Sequence, residues 1–260
     1  MNVRVCSRCV MDETVPRIRF DEKGICNFCK FQNLMEEEYR LDNPQTRQRL
    51  DAIYAKAKKQ GKGKAYDCIV GISGGRDSTY LLYYLTREIG LRCLAVHFND
   101  GFGNPTAGEN MHKSVKKLNV DLRTISADWR ESKDLKIACL KASTPDLNLA
   151  TDIGLTAALY GVASSEFIQT VFVGHSFRTE GVAPLEWNYL DGLYLKAIQE
   201  RFGVTPLRKW RPNDPGFHLN WNHLLYYSVF RRIRLVTPFY FIPYVRKDVD
   251  IVLKRELDWV

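Results

Sequence analysis

The sequence predicts an α/β protein: a doubly wound parallel sheet with helices on both faces, preceded by a small cysteine-bearing module. Three observations carry that prediction. From Tyr66 onward, apolar strand-like runs alternate with helix-like ones, the pattern of parallel strands joined by crossover helices. The run Cys68-Ile69-Val70-Gly71-Ile72 passes through Ser73-Gly74-Gly75-Arg76-Asp77-Ser78 into an amphipathic stretch over 79–89 that Gly90 can cap, which reads as strand, tight turn, helix. Cys6-x-x-Cys9 and Cys26-x-x-Cys29 stand apart at the amino end, with sixteen residues between the pairs.

Bulk properties bound the alternatives. A chain of 260 residues holds one large domain plus an appendage. No apolar run reaches membrane-spanning length, because residues 224–245 are broken by Arg231, Arg232, Arg234, Pro238 and Pro243. No charged-then-apolar leader opens the chain, so the expected compartment is the cytoplasm and membrane insertion is not expected. Seven cysteines there are expected as thiols or metal ligands rather than disulfides. The net charge of +8 is uneven: residues 1–65 carry 14 Lys/Arg against 9 Asp/Glu, residues 66–199 carry 13 against 15, and residues 200–260 carry 11 against 6. Basic ends can form an RNA-binding rim, but Lys56, Lys58, Lys59, Lys62 and Lys64 read better as a solvated face, and no RNA-recognition motif accompanies them. Nucleic acid is therefore not the expected partner.

Residues 1–35 form the first expected unit. Each Cys-x-x-Cys turn points two thiolates at one centre, and two turns complete a tetrahedron of Cys6, Cys9, Cys26 and Cys29. Pro16, Asp21 and Gly24 between them suggest short ribbon strands. The reading is a zinc ribbon with structural Zn2+, since four protein ligands leave no open position; a redox pair or iron–sulfur cluster is the competing reading. Residues 36–65 are expected as a helical linker. The helix over 31–59 is interrupted at Asn43-Pro44, where proline suits a new start, and Gly61-Lys62-Gly63-Lys64 serves as a hinge.

Residues 66–185 form the expected central domain. After the first strand come a second over 91–98, a helix over 109–118, a third strand over 120–126, a long helix around 146–166 and a strand over 170–174. In such sheets ligands lie beyond the carboxyl ends of the strands, so the chemistry is expected in the loops that follow them. After the first strand, Gly74 and Gly75 let the backbone pass close to a ligand, and the turn offers free N–H groups at a helix N-terminus, a site for phosphate. Ser73 and Ser78 add hydroxyls, Arg76 a forked cation, and Asp77 can hold magnesium or cap the helix. A polar turn with an N-cap would explain a lone Gly-Gly; six positions in register between a buried strand and a helix favour the phosphate cradle. Asn99 and Asp100 follow the second strand as nucleotide-binding candidates, with a polar turn as the alternative, and Gly174-His175-Ser176-Phe177-Arg178-Thr179-Glu180-Gly181 follows the later one.

The hexapeptide resembles the phosphate loop of the PP-loop ATP pyrophosphatase (adenine nucleotide alpha hydrolase) superfamily, S-G-G-x-D-S, with Arg76 where many members carry lysine. That resemblance implies a HUP-like, Rossmann-like fold and ATP cleaved between its α and β phosphates, with AMP transferred to a substrate oxygen. Taken with the paired cysteines, Pro145-Asp146, Thr151-Asp152, Thr179-Glu180-Gly181 and Ile242-Pro243-Tyr244, the chain resembles over essentially its whole length the N-acetyl sugar amidotransferase family of bacterial surface-polysaccharide and flagellar-glycan synthesis. Members of that family usually continue well past an aspartate–tryptophan like Asp258-Trp259, so beside them this chain is short at its C-terminus.

The resemblance implies that the acetamido oxygen of an N-acetyl sugar, carried on a nucleotide, is adenylated and then replaced by ammonia. Ser73, Gly74, Gly75, Arg76 and Ser78 would contact the phosphates, and Asp77 would organise Mg2+ or phosphate. Asp152 and Glu180, with Thr179, are the candidates to orient the sugar or manage ammonia's protons; Asp152 can equally be an N-cap. Ammonia at neutral pH is mostly ammonium, and Cys68, Cys93 and Cys139 sit in apolar or amphipathic settings unlike a glutaminase nucleophile, so a separate glutaminase subunit is the expected partner. Assembly into a homo-oligomer stays open.

Residues 186–260 are expected to be mostly helical and to meet substrate or partner. Trp187, Trp210, Trp221, Tyr226, Tyr227, Phe239, Tyr240 and Phe241 suit sugar stacking, though core is their commoner use, and Arg231, Arg232 and Arg234 can meet a diphosphate or solvent. Two rival readings remain: a tRNA-thiolating enzyme, which the absence of a further Cys-x-x-Cys weakens, and a non-catalytic nucleotide-binding scaffold, against which the intact phosphate loop argues.

Overall fold

The computed structural model describes residues 3–187, 189–209 and 216–260; Trp210 lies outside them. Among the described residues, five strands form one sheet in the order β3-β2-β1-β4-β5: β1 (Cys68–Gly71), β2 (Cys93–Asn99), β3 (Asp121–Ser126), β4 (Thr170–Phe172) and β5 (Arg234–Val236). Every pairing is parallel, with Cys68 opposite Cys93, Leu94 opposite Asp121, Ile69 opposite Val171 and Thr170 opposite Arg234. The order grows outward in both directions from β1, so the crevice at the carboxyl ends of β1 and β4 is the topological switch point.

Strand residues alternate between two cores, as a period of two requires. Ile69, Leu94, Val96 and Val171 pack with Leu135, Ala138, Ile153, Ala157, Leu195 and Ile198. Those belong to α5 (Trp129–Lys141), α6 (Leu149–Ser165) and α8 (Gly192–Phe202), with the short α7 (Phe177–Glu180) before α8 and α9 (Trp221–Leu225) after it. Cys68, Val70, Cys93, Ala95 and Phe172 face the other way, against Leu50, Leu81, Met111, Val115, Leu253 and Leu257. Those lie on α2 (Pro44–Gln60), α3 (Arg76–Tyr83), α4 (Pro105–Leu118) and α10 (Arg246–Leu257). The doubly wound architecture is thus present, with apolar helices on both faces.

Three features depart from the sequence expectation. The C-terminal third supplies β5, because Arg234-Leu235-Val236 is too short to show a period yet pairs along β4. With β5 in the sheet and α10 in the second core, this region belongs to the α/β unit rather than lying beside it. The helix α5 was not anticipated; its N-cap Asp128 accepts from the amides of Arg130 and Glu131. Finally, α1 (Asn27–Glu38) begins inside the cysteine module, so Cys29 sits on its first turn and Cys26 is its cap. Short antiparallel bridges, Val5 with Asp12 and Phe20 with Cys26, frame that module. Among the described residues, no helix is long and apolar enough to cross a membrane.

Candidate active site

A cavity of about 400 Å³ opens at the switch point. Its lining comes from the turn after β1 (Ser73, Gly75, Arg76, Asp77, Ser78), the end of β2 (His97, Phe98), the α6 face (Thr151, Leu155, Leu159) and the segment after β4 (Val173, Gly174, His175, Glu180). One part is therefore apolar and the other polar and charged, which suits a ligand with a flat apolar group and an anionic tail.

The turn is built as a cradle. Gly74 adopts φ +79°, and a Cβ there would stand 1.8 Å from the carbonyl oxygen of Ala107 on α4, so only glycine fits. The amide of Ser73 donates to Ser78 Oγ (3.1 Å) and that of Gly75 to Ser73 Oγ (3.3 Å), which sets the hydroxyls around the turn. The first backbone bond into α3 is Thr79 N–H to Gly75 O at 3.1 Å, and no side chain caps the helix. The amides of Arg76, Asp77 and Ser78 thus form the donor end of the helix dipole facing the cavity. Gly174 lets the segment after β4 pass beside it: a Cβ there would lie 3.0–3.1 Å from the backbone of Asp77 and Ser78.

The last segment of the described chain braces this turn from behind. Trp259 Nε1–H donates to the Gly74 carbonyl at 3.0 Å, Arg76 makes a two-pronged pair with Asp250, and the Tyr244 hydroxyl donates to Asp77. Arg76, expected as a cation for phosphate, lines the cavity while its guanidinium is engaged by Asp250. Burial and the neighbouring Asp77 push the Tyr244 phenol far up, so it stays protonated and donates.

Across the cavity, His175 Nδ1 lies 3.4 Å from Glu180 Oε2. Both side chains are more than half exposed; the hydrogen bond to Glu180 raises the imidazole's pKa, and the same bond lowers that of Glu180. Asp152 sits on α6 next to Thr151, and burial together with the charges of Asp146 and Glu180 raises its carboxyl to about 6, against the opposing pull of His175 and Lys136. The cavity thus sets an imidazole–carboxylate pair opposite the glycine turn, while Asp152 is not among its lining residues. On the other wall, His97 Nδ1–H donates to the Ile72 carbonyl at 3.0 Å.

Other candidates lie outside the lining. Asn99 Oδ1 accepts from the Gly101 amide (3.0 Å), and Asp100 accepts from Thr151 Oγ1 (2.6 Å) and the Phe102 amide (2.9 Å), with Lys136 Nζ at 3.5 Å. Burial pushes the Asp100 carboxyl up, but these donors outweigh it and hold it below the usual range. Asp100 thereby ties the β2 loop to the start of α6. Thr179 Oγ1 donates to the Ser176 carbonyl at 3.2 Å. Within the loop over 174–181, Arg178 reaches Glu36 (2.9 Å) and the carbonyls of Tyr39 (2.8 Å) and Tyr240 (2.9 Å), so this loop is anchored to the chain leaving the cysteine module. His175 and Tyr244 were in stretches singled out by sequence, yet a single polar loop residue carries no local mark of its partners. Asp250 had no such mark at all, and Trp259 was marked only as part of the family-like pair Asp258-Trp259.

The four expected ligands converge: the sulfurs of Cys6, Cys9, Cys26 and Cys29 all lie within 4.8 Å of one another. Cys6 to Cys29 is 3.9 Å and Cys9 to Cys26 is 3.7 Å, close to the edge of about 3.8 Å that a tetrahedron of Zn–S bonds requires. Amides of Arg8 and Cys26 point at Cys6 Sγ (3.4 and 3.3 Å), and that of Cys29 at Cys26 Sγ (3.4 Å). Burial pushes the Cys6 thiol up, but the N–H donors of Arg8, Cys26 and Cys9 prevail and bring it down to about 6. These residues can hold a metal ion, and the donor set fits zinc.

No family model matches the chain. An uncharacterized protein of Methanocaldococcus jannaschii is 31% identical over 127 residues, covering 48% of this chain and 44% of that relative, so the match spans less than half of the relative's length. Among solved structures, a predicted subunit of tRNA methyltransferase from Methanocaldococcus jannaschii is similar with a TM-score of 0.38 at 13% identity, over 72% of this chain and 73% of that one. An NH3-dependent NAD synthetase from Campylobacter jejuni, in complex with nitrate, is similar with a TM-score of 0.38 at 14% identity, over 67% and 73%. At that depth neither neighbour's chemistry transfers to this chain.

Proposed function

We propose that this chain is an ATP-dependent amidotransferase of the PP-loop type, acting on the acetamido group of an N-acetyl sugar carried on a nucleotide, in the synthesis of a bacterial surface glycan. The observation that carries this reading is the opening of the uncapped α3 N-terminus and of the His175–Glu180 pair into one cavity.

An acetamido carbonyl resists displacement because nitrogen donates into it. Its oxygen attacks the α-phosphorus of ATP, the bond to the β-phosphate breaks, and diphosphate leaves with the electron pair. The amides of Arg76, Asp77 and Ser78 and the hydroxyls of Ser73 and Ser78 stabilise the charge that gathers on the phosphates. Asp77 would hold Mg2+, which screens that charge when bound. Ammonia then forms a bond to the carbonyl carbon, the carbon–oxygen bond breaks, and AMP departs, leaving an acetamidino group. The extra proton on nitrogen needs an acceptor, and neutral His175, oriented by Glu180 with Asp152 nearby, would take it. A separate glutaminase subunit would supply ammonia in its unprotonated form.

The zinc-type centre serves structure: four thiolates leave no open coordination position. Cys68, Cys93 and Cys139 are buried and none lines the cavity, so sulfur transfer through a cysteine finds no candidate among the described residues. The test is incubation with ATP, magnesium, an ammonium salt and a panel of nucleotide-linked N-acetyl sugars, with mass spectrometry for oxygen replaced by NH. AMP formation tied to that replacement supports the reading. Absence of both the replacement and ATP–diphosphate exchange across the panel refutes it.

A further inference from the structure

A second concavity, of about 580 Å³, lies on the other side of the sheet's edge pair, between α2 and the starts of β4 and β5. Lys56, Gln60, Gln169, Ser228, Arg232 and Arg234 supply its polar lining, and Ile53 and Val236 part of its apolar lining. Because the strands are parallel, Gln169 and Thr170 mark the amino end of β4, whereas the phosphate cradle stands at the carboxyl end. We propose that this concavity is a second binding site, for a phosphate-bearing anion. Among the described residues, three cations line it and no carboxylate does. Three neighbouring basic residues are engaged elsewhere: Arg231 donates to the Ser164 carbonyl and lies over Phe167, Lys58 donates to the Ile89 carbonyl, and Lys64 to the Phe167 carbonyl. Lys56, Arg232 and Arg234, in contrast, have no side-chain ion pair or hydrogen bond among the described residues. Two forked guanidiniums and an ammonium lining one hollow supply the charge and the donors that phosphate oxygens, which accept several at once, call for. Self-association through this face is disfavoured, since it would bring like charges together.

The phosphate can come from a soluble ester or from a lipid headgroup, since exposed Val229 and Phe230 adjoin Ser228. The test uses the full chain, titrated calorimetrically with inorganic diphosphate and, separately, sedimented with vesicles of three parts phosphatidylcholine to one part phosphatidylglycerol. Wild type is compared with Arg232→Gln/Arg234→Gln and with Lys56→Gln, whose exposed positions and unchanged melting curves serve as the folding control. If the double variant unfolds, Arg232→Gln and Lys56→Gln carry the comparison. Diphosphate is expected to show two components, one lost or weakened about tenfold in the double variant while ATP binding at the cradle persists. Loss confined to the vesicle arm assigns the phosphate to a headgroup. Superimposable wild-type and variant behaviour in both arms, or no binding in either, overturns the proposal.

Discussion

Gly74→Ala is the sharpest probe of the cradle. Alanine at φ +79° meets the left-handed penalty of about 1–2 kcal/mol. Its Cβ would also lie 1.8 Å from the carbonyl oxygen and 2.6 Å from the carbonyl carbon of Ala107, backbone atoms that no rotamer change can move. Forcing α4 aside adds about 1–3 kcal/mol, as overpacking does elsewhere. The total of about 2–5 kcal/mol is a large share of a typical domain's 5–15. Gly63→Ala separates the two contributions, because Gly63 has nearly the same φ, +81°, and no described atom lies within 4 Å of where its Cβ would stand. Urea unfolding should therefore show a loss of about 1–2 kcal/mol for Gly63→Ala and a clearly larger one for Gly74→Ala. ATP binding should fall only in the latter, because the shifted turn also strains the Trp259 bond to the Gly74 carbonyl. Equal losses in the two variants would refute the claim that close approach to α4, rather than backbone conformation alone, shapes the turn.

Glu180→Gln removes the group that raises the His175 pKa, so the rising limb of a kcat–pH profile should move to lower pH, and His175→Asn should abolish that limb. Asp152 has its folded pKa raised from the ordinary carboxyl value to about 6, so the folded state holds its proton more tightly than the unfolded chain. That contribution is complete below the unfolded value and is lost as pH climbs to about 6. Asp152→Asn should accordingly be more stable than wild type at pH 8, by about 1–2 kcal/mol after solvent screening, and lose that advantage near pH 4 in urea titrations. Cys26→Ser should eliminate bound zinc in elemental analysis. Since Arg178 is held by Glu36 and by the Tyr39 carbonyl just beyond α1, it should also speed hydrogen exchange at 174–181, a segment distant in sequence.

The strand–turn–helix around Ser73–Ser78 carries its own evidence, because glycine's freedom and the free amides of a helix start are properties of adjacent residues. The two Cys-x-x-Cys turns are equally self-contained, and the spacing alone anticipated four sulfurs around one centre. Strands β1 and β2 were legible because burial on both faces makes them continuously apolar. By contrast, β5 is three residues long, and pairing with β4 rather than pattern makes it a strand.

The same division runs through the site. Sequence by itself determined the parallel α/β plan, the glycine turn between β1 and α3 and the clustering of four cysteines, since each depends on short-range chemistry. Only tertiary structure decided that Arg76 turns to Asp250, that Tyr244 donates to Asp77, that Asp100 fastens Thr151 and that His175 meets Glu180 at the cavity. Those partners lie from 5 to 174 residues apart, as Glu180 does from His175 and Asp250 from Arg76. Side-chain pairing is set by where packed elements bring atoms together, and no local pattern encodes that distance.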